Sequence, residues 1–335
     1  MNIKKKLFKL ILKIKKPGFV FFSHNVTENK NQILPSLHLN PKSLEKSIKT
    51  LFSLGFDIIS METLISISKK KFKYEKPWVH FTFDDGYKEN LSKLLPIFEK
   101  YNIPFTLFIS SNHIDKQERF YTFRLKLSVL YCKNDIEILG IKISAKKNKE
   151  ERTKLYEKIA VNFKLLSKSE QINQIKIVDN ILSEEQKENL YYKFSSDDIL
   201  TTDELISLSK NPLVNIGSHS HNHITYNQNV CTSDIQFELE TSQKWLEKKT
   251  NNKVLAFCYP NGSLNDFNRD SISLSKKYYE IAFTTLSSFI DKNTDPYIMP
   301  RIFLLPNIES IINRAVFPKF IIKFKIMLFN FLKKK

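Results

Sequence analysis

Glycine is scarce in this chain, with six in 335 residues. Three of the six, Gly86, Gly217 and Gly262, stand in short runs dense in Asp, His and aromatic residues. Glycine adopts backbone angles that other residues resist, so these runs mark turns and candidate sites. Cysteine is scarce as well. Cys132, Cys231 and Cys258 lie far apart and form no C-x-x-C pair. An odd, scattered set argues against a disulfide framework, fits a reducing compartment, and reads as core filling. Acids are missing from both ends. Residues 3–16 hold seven lysines and residues 317–335 hold six, with no Asp or Glu in either stretch. Together they carry thirteen of the eighteen net positive charges, leaving about +5 for the body. A body so nearly balanced has no basic face for nucleic acid. Internal repeats and low-complexity linkers are also lacking.

What the ends do contain is apolar residues at helical spacing. Ile3, Leu7, Leu10, Ile11 and Ile14 share one helix face, with lysines over much of the rest. The stretch is too short and too charged to span a bilayer. It has no clean apolar core or small-residue cleavage site of a signal peptide. Residues 1–16 therefore read as a basic amphipathic helix at a membrane surface. Residues 306–335 read likewise, through Phe317, Phe320, Ile321, Phe324, Met327, Leu328, Phe331 and Leu332. Ordinary surface or core-packing helices are the alternative. The expectation is a cytoplasmic protein held peripherally on the inner membrane.

Between the ends, β and α signals alternate. Gly18–Ser23 reads as a strand, Lys42–Leu54 as a helix closed by Gly55, and Phe56–Ile59 as a short strand. Met61–Lys70 reads as a helix, Trp78–Phe83 as a strand, Lys88–Lys100 as a helix and Pro104–Ser110 as a strand. The alternation stops over 115–198, a Lys-, Glu-, Asn- and Gln-rich segment that reads as a mostly helical insertion. It resumes with strands near 213–216, 254–259 and 280–284 and helices near 234–249 and 267–277. Seven or eight strands alternating with helices point to an α/β fold, an irregular (β/α) barrel. Its two parts are 17–114 and 199–305.

Chemistry concentrates at two strand ends. Phe81-Thr82-Phe83-Asp84-Asp85-Gly86-Tyr87 ends an apolar run in two carboxylates and a turn. Asp85 could simply cap the following helix. Gly217-Ser218-His219-Ser220-His221-Asn222-His223 puts two histidines four apart, where a helix or turn would let both grip one ion. In a parallel barrel such ends share one rim. One carboxylate and two histidines form a three-ligand set with open positions, as catalytic zinc requires. A second carboxylate is then available as a base.

Thr82-Phe83-Asp84-Asp85-Gly86, His219-Ser220-x-x-His223 and Phe257-x-Tyr259-Pro260-x-Gly262 together resemble the polysaccharide deacetylase family, carbohydrate esterase family 4. The resemblance spans roughly residues 18–305, interrupted by the insertion. It implies a distorted (β/α)7 barrel and metal-dependent removal of acetyl from an N-acetylated sugar. By that resemblance Asp85, His219 and His223 bind a divalent metal, usually zinc, and Asp84 is the general base. The Tyr259-Pro260 loop gives a backbone N–H to the oxyanion and lines the sugar site.

One motif departs from the pattern. The family's late Leu-x-His, source of the general acid, is absent, and no histidine follows His223. Phe22-Ser23-His24-Asn25-Val26 resembles the Tyr-His-x-Val piece of a permuted branch, which assigns the acid to His24. A capping or core role is the other reading of His24. Pro300-Arg301 resembles that branch's late arginine, grouped with the substrate loop and expected to pair with Asp84. A surface ion pair is its alternative. His38, His80 and His113 read as structural.

The resulting expectation is a metal-dependent hydrolase of an N-acetylated saccharide, lipid-linked or polymeric, in surface-glycan biosynthesis at the inner membrane. Two alternatives stay open. One is a non-catalytic, membrane-associated saccharide binder on the same fold. The other is a metal-dependent hydrolase of another amide.

Overall fold

The computed structural model describes residues 10, 12–71, 73–291, 293–305, 307, 308 and 312. In chain order the strands are β1 (Gly18–Ser23), β2 (Asn25–Val26), β3 (His38–Leu39), β4 (Asp57–Ile58), β5 (Trp78–Asp84) and β6 (Phe105–Ile109). After them come β7 (Ile136–Ile138), β8 (Ile141–Ile143), β9 (Val214–Ser218), β10 (Ala256–Cys258), β11 (Ile281–Phe283) and β12 (Ile302–Phe303).

The main sheet runs β11-β10-β9-β6-β5-β1-β12, with every pairing parallel. β4 joins the start of β5 through Asp57 opposite Trp78. The sheet curls into a distorted (β/α) barrel. Its seam is thin. Met299 makes a single parallel bridge to Phe283, and three residues later β12 begins, pairing Ile302 and Phe303 with Phe21 and Phe22 of β1. The stretch 299–303 thus spans from β11 back to β1.

Both faces of each strand are covered, so the strands read as continuous apolar runs rather than alternating ones. Alternation survives in what each face touches. Phe19, Phe21, Val79, Phe81, Phe83, Phe105 and Leu107 pack outward in one core with the surrounding helices, such as Pro41–Leu54 and Thr232–Thr250. Val20, Trp78, Phe108, Ala256, Cys258, Phe283 and Met299 form a separate inner core. On β5 the inner face also carries His80, Thr82 and Asp84, all buried. That face leads directly to the site. Gly18 is required here, because any Cβ would stand 2.0 Å from the Trp78 ring.

The helix after Gly86 differs from expectation. It opens as a π-wound turn, Asn90–Leu94, before the α-helix Leu95–Tyr101. Pro96 explains the widening. It has no N–H to give and crowds the carbonyl four residues back, so the preceding turn opens.

Within 115–198 lie four helices, Tyr121–Tyr131, Lys149–Phe163, Lys168–Asp179 and Glu184–Lys193, and an antiparallel hairpin of β7 and β8. They enclose their own core around Leu125, Val129, Ile138, Ile143, Ile159 and Val178. Ile33 and Leu34, from the loop after β2, belong to that core too.

Of the two terminal stretches, little lies within the described residues. Leu10 and residues 12–15 are helical. Leu12 is buried against the barrel, whereas Leu10 and Ile14 are 53% and 71% exposed. The expected helix over 306–335 falls almost wholly outside the described residues. Among those described, no helix is long and apolar enough to cross a membrane.

Candidate active site

β5 delivers Asp84 inward. Strict alternation would send Asp85 out toward the helices. Instead Asp85 takes a left-handed backbone, φ 76°, followed by Gly86 at 74°. The turn brings the Asp85 carboxylate back over the rim. A non-glycine residue held there costs on the order of 1–3 kcal/mol, which the surrounding bonds must outweigh. Gly86 O accepts from Leu200 N at 2.9 Å, and Tyr87 bridges Ile199. Asp85 is therefore not a helix cap.

The histidine run leaves β9 as a tight loop rather than a helix. His219 N is fastened to Ile109 O at 2.8 Å. Ser220 and His223 both adopt left-handed angles, φ 64° and 55°, and Ser220 Oγ accepts from His223 N at 2.9 Å. These angles bring the two rings together, with centroids 4.8 Å apart and planes at 70°. His219 Nδ1 donates to Cys258 O at 2.8 Å. That bond fixes the tautomer and leaves the Nε2 lone pair facing Asp85.

The three side chains converge. Asp85 Oδ1 lies 3.5 Å from His219 Nε2 and 3.4 Å from His223 Nε2. It is buried and has no hydrogen-bond partner. One atom from each of the three residues falls within 4.8 Å of the others. Burial would raise the Asp85 pKa, but His223, His24 and His219 together hold it well below the usual carboxylate range. Burial also lowers His219 to about 4, keeping it in the neutral, ligating form. A carboxylate oxygen with no other partner and the Nε2 atoms of two imidazoles fit a divalent metal of the zinc class.

Asp84 sits one layer deeper. Arg301 Nη1 and Nη2 donate to its two oxygens at 2.7 and 2.8 Å. The remaining guanidinium protons go to Thr284 O at 3.0 Å, Thr82 Oγ1 at 3.0 Å and Cys258 Sγ at 2.9 Å. All five N–H donors are thus used in a fully buried position. Burial pushes Asp84 upward, yet the Arg301 charge and bonds outweigh it and keep the carboxyl below its ordinary value. Arg301 does not face substrate. It was grouped with the substrate loop, and its burial excludes contact there.

Asp84, His219 and Cys258 also lie close enough to suggest a second ion. The arrangement argues otherwise, since Arg301 holds both Asp84 oxygens and burial pushes the Cys258 thiol up.

His24 follows β1, the strand beside β5. Its ring packs near Phe22 and Phe303, with centroids at 6.1 and 6.5 Å, and its Nδ1 is buried with no partner. Its charge acts on both Asp84 and Asp85.

Tyr259 does not line the site. Its ring stacks on Phe267 at 4.9 Å, and its hydroxyl meets Ser275 Oγ at 2.9 Å and Tyr297 O at 3.2 Å in the outer layer. Its N–H is committed to Phe283 O at 3.0 Å. Pro260 has no N–H, and the Gly262 N–H turns back to Pro260 O at 2.7 Å. The loop's donor without an acceptor among the described residues is the Asn261 N–H.

Cys258, read as core filling, is also a wall of the site. Glu238 was not singled out at all. It is fully buried, and it accepts from His221 N at 3.1 Å, Asn222 N at 2.7 Å and Asn222 Nδ2 at 2.7 Å. An acid two turns into a long helix gives no local sign of such a role. Elsewhere His80 bonds Ile59 O and Thr106 Oγ1 at 2.8 and 2.9 Å, His38 pairs with Asp197 at 2.7 Å, and His113 meets Ser110 Oγ at 3.0 Å.

The polysaccharide deacetylase family profile matches residues 71–278, more than half of the chain. The protein belongs to the polysaccharide deacetylase family. That family comprises hydrolases of carbon–nitrogen bonds, and deacetylation of a saccharide is the activity it supports here. Solved structures give the same fold. The deacetylase PplD of Streptococcus pyogenes, solved with acetate, is 14% identical, with TM-score 0.57 over 90% of this chain and 98% of that one. A de-N-acetylase from Aggregatibacter actinomycetemcomitans is 15% identical, with TM-score 0.55 over 88% and 99%. IcaB from Ammonifex degensii is 11% identical, with TM-score 0.57 over 90% and 97%. No curated protein matches the sequence.

Proposed function

We propose that this polysaccharide deacetylase is a metal-dependent N-deacetylase, hydrolysing the acetamide of an N-acetylated sugar to acetate and a free amine. The observation that carries this is the buried, unpartnered Asp85 Oδ1 facing the Nε2 atoms of His219 and His223. Those three residues would hold a divalent ion, zinc in the simplest case. When bound, the ion supplies Lewis acidity toward the acetamide carbonyl and lowers the pKa of water.

The remaining steps belong to the protein's own groups. Asp84 is ionised and takes the proton from the attacking water. Arg301 holds that carboxylate in one orientation. As the oxygen–carbon bond forms, the Asn261 N–H donates to the carbonyl oxygen that gains charge. Protonated His24 then delivers a proton to the sugar nitrogen as the carbon–nitrogen bond breaks.

The substrate is further inferred to be a saccharide presented at the inner membrane surface, most simply a lipid-linked intermediate of surface-glycan synthesis. Support comes from the lysine-rich, acid-free ends and from Leu10 and Ile14, apolar and exposed beside buried Leu12. Acetate release from a panel of N-acetylated and lipid-linked saccharides, with and without chelator, tests the reading.

A further inference from the structure

The histidine loop is not held by the barrel alone. Its two central backbone N–H groups, on His221 and Asn222, end on Glu238. A fully buried carboxylate is costly unless its charge is balanced. The cation that faces it comes from the insertion. Lys168 Nζ lies 3.4 Å from Glu238 Oε1 and 3.5 Å from Asp234 Oδ1, and 4.3 Å above the Phe237 ring. Lys168 opens the helix Lys168–Asp179, at the corner that leads into it from Lys149–Phe163.

The same corner is pinned beside the loop a second time. Asn227 Nδ2 donates to Leu166 O at 2.9 Å, and Asn229 Nδ2 to Leu165 O at 2.7 Å. A third contact reaches a metal-binding candidate itself. Phe120, where the insertion begins, sets its ring edge-on to His223 at 4.9 Å and 71°. Behind it His113 stacks at 4.3 Å and 16°.

We propose that the insertion is a clamp for the metal-binding loop, with Lys168 and Glu238 as its positioning residues. This rests on the reading of Asp85, His219 and His223 as metal ligands. Ser220 and His223 need left-handed angles to bring the two Nε2 atoms together. Glu238 holds the peptide groups between them, and Lys168 holds Glu238 in place. The insertion therefore contributes to affinity for the ion.

Zinc titration of the chelator-stripped full chain against a chromophoric competitor tests this. Lys168→Met should raise the zinc Kd about 10-fold or more, as loss of supporting contacts around metal ligands typically does. Lys168→Arg should restore most of it. Arg124→Met is the control. It removes the Arg124–Asp179 pair inside the insertion, at 2.8 and 2.7 Å, and should lower Tm while leaving the zinc Kd unchanged. If Lys168→Met does not fold, Glu238→Gln carries the same expectation. A folded Lys168→Met or Glu238→Gln chain with wild-type zinc affinity overturns the clamp alone. Equal loss of affinity in Arg124→Met also overturns it, since general loosening would then explain the effect. A wild-type chain that takes up no zinc overturns the clamp and the ligand assignment together.

Discussion

Arg301 closes on Asp84 across 217 residues of chain, with two parallel N–H···O bonds of 2.7 and 2.8 Å in a fully buried setting. The last extended stretch, 299–303, is also the seam of the barrel. One residue thus links closure of the fold to the orientation of the proposed base. Removing one partner of a buried pair leaves an uncompensated charge, typically costing about 3–5 kcal/mol. Arg301→Met should lose stability of that order by urea denaturation. Arg301→Met combined with Asp84→Asn should recover much of it. If the double variant is no more stable than Arg301→Met, the pairing is not what holds the seam.

His80 sets a pH dependence of stability. It is fully buried between Ile59 O and Thr106 Oγ1, and burial lowers its pKa from 6.5 to about 4. The unfolded chain binds a proton below about pH 6.5 that the native protein refuses until about pH 4. Stability therefore falls as pH drops through that window, by up to about 3 kcal/mol. His80→Asn should make the slope shallower between pH 6.5 and 4, leaving the share of His219, which burial also lowers to about 4. A slope identical to wild type would remove His80 as a contributor.

His24 is the proposed acid. His24→Ala should bind zinc as wild type does while losing about 10²–10⁴-fold in kcat, the usual contribution of a positioned proton donor. A His24→Ala chain with wild-type kcat would place the acid elsewhere.

Much of this was legible in the sequence because the signals are local. Asp84-Asp85-Gly86 and the histidine run lie at strand ends, where turn residues and chemistry coincide. Other features were hidden for physical reasons. Cys258 and Tyr259 are both fully buried, one inward and one outward. A strand covered on both faces gives no alternation to tell them apart, and the substrate contact at Tyr259 rested on the family resemblance alone. The β7–β8 hairpin turns at Leu139-Gly140, with φ 52° and 72°, and leucine is not a usual marker of such a turn. Asp85, Ser220 and His223 adopt left-handed angles without being glycine. The Lys168–Glu238 contact joins segments far apart in the chain, and neither residue carries a local signal.

The basic ends carry a separate expectation. Lysines near an anionic bilayer contribute roughly 1 kcal/mol each, and two weak anchors on one chain reinforce one another. The full chain should sediment with vesicles containing anionic phosphatidylglycerol at low salt, and a chain lacking residues 1–16 and 317–335 should not. A full chain that stays in solution would remove the main support for a lipid-linked substrate.

Asp85, His219 and His223 are proposed to hold the ion on which deacetylation depends. The most direct measurement is metal content and acetate release on the same preparations of wild type and His219→Ala, each with and without added zinc. Wild type should hold about one zinc per chain, with acetate release abolished by chelation and restored by zinc. His219→Ala should fold, retain no zinc and release no acetate. A His219→Ala chain with wild-type zinc content, or a wild-type chain that deacetylates equally well after chelation, would contradict that proposal.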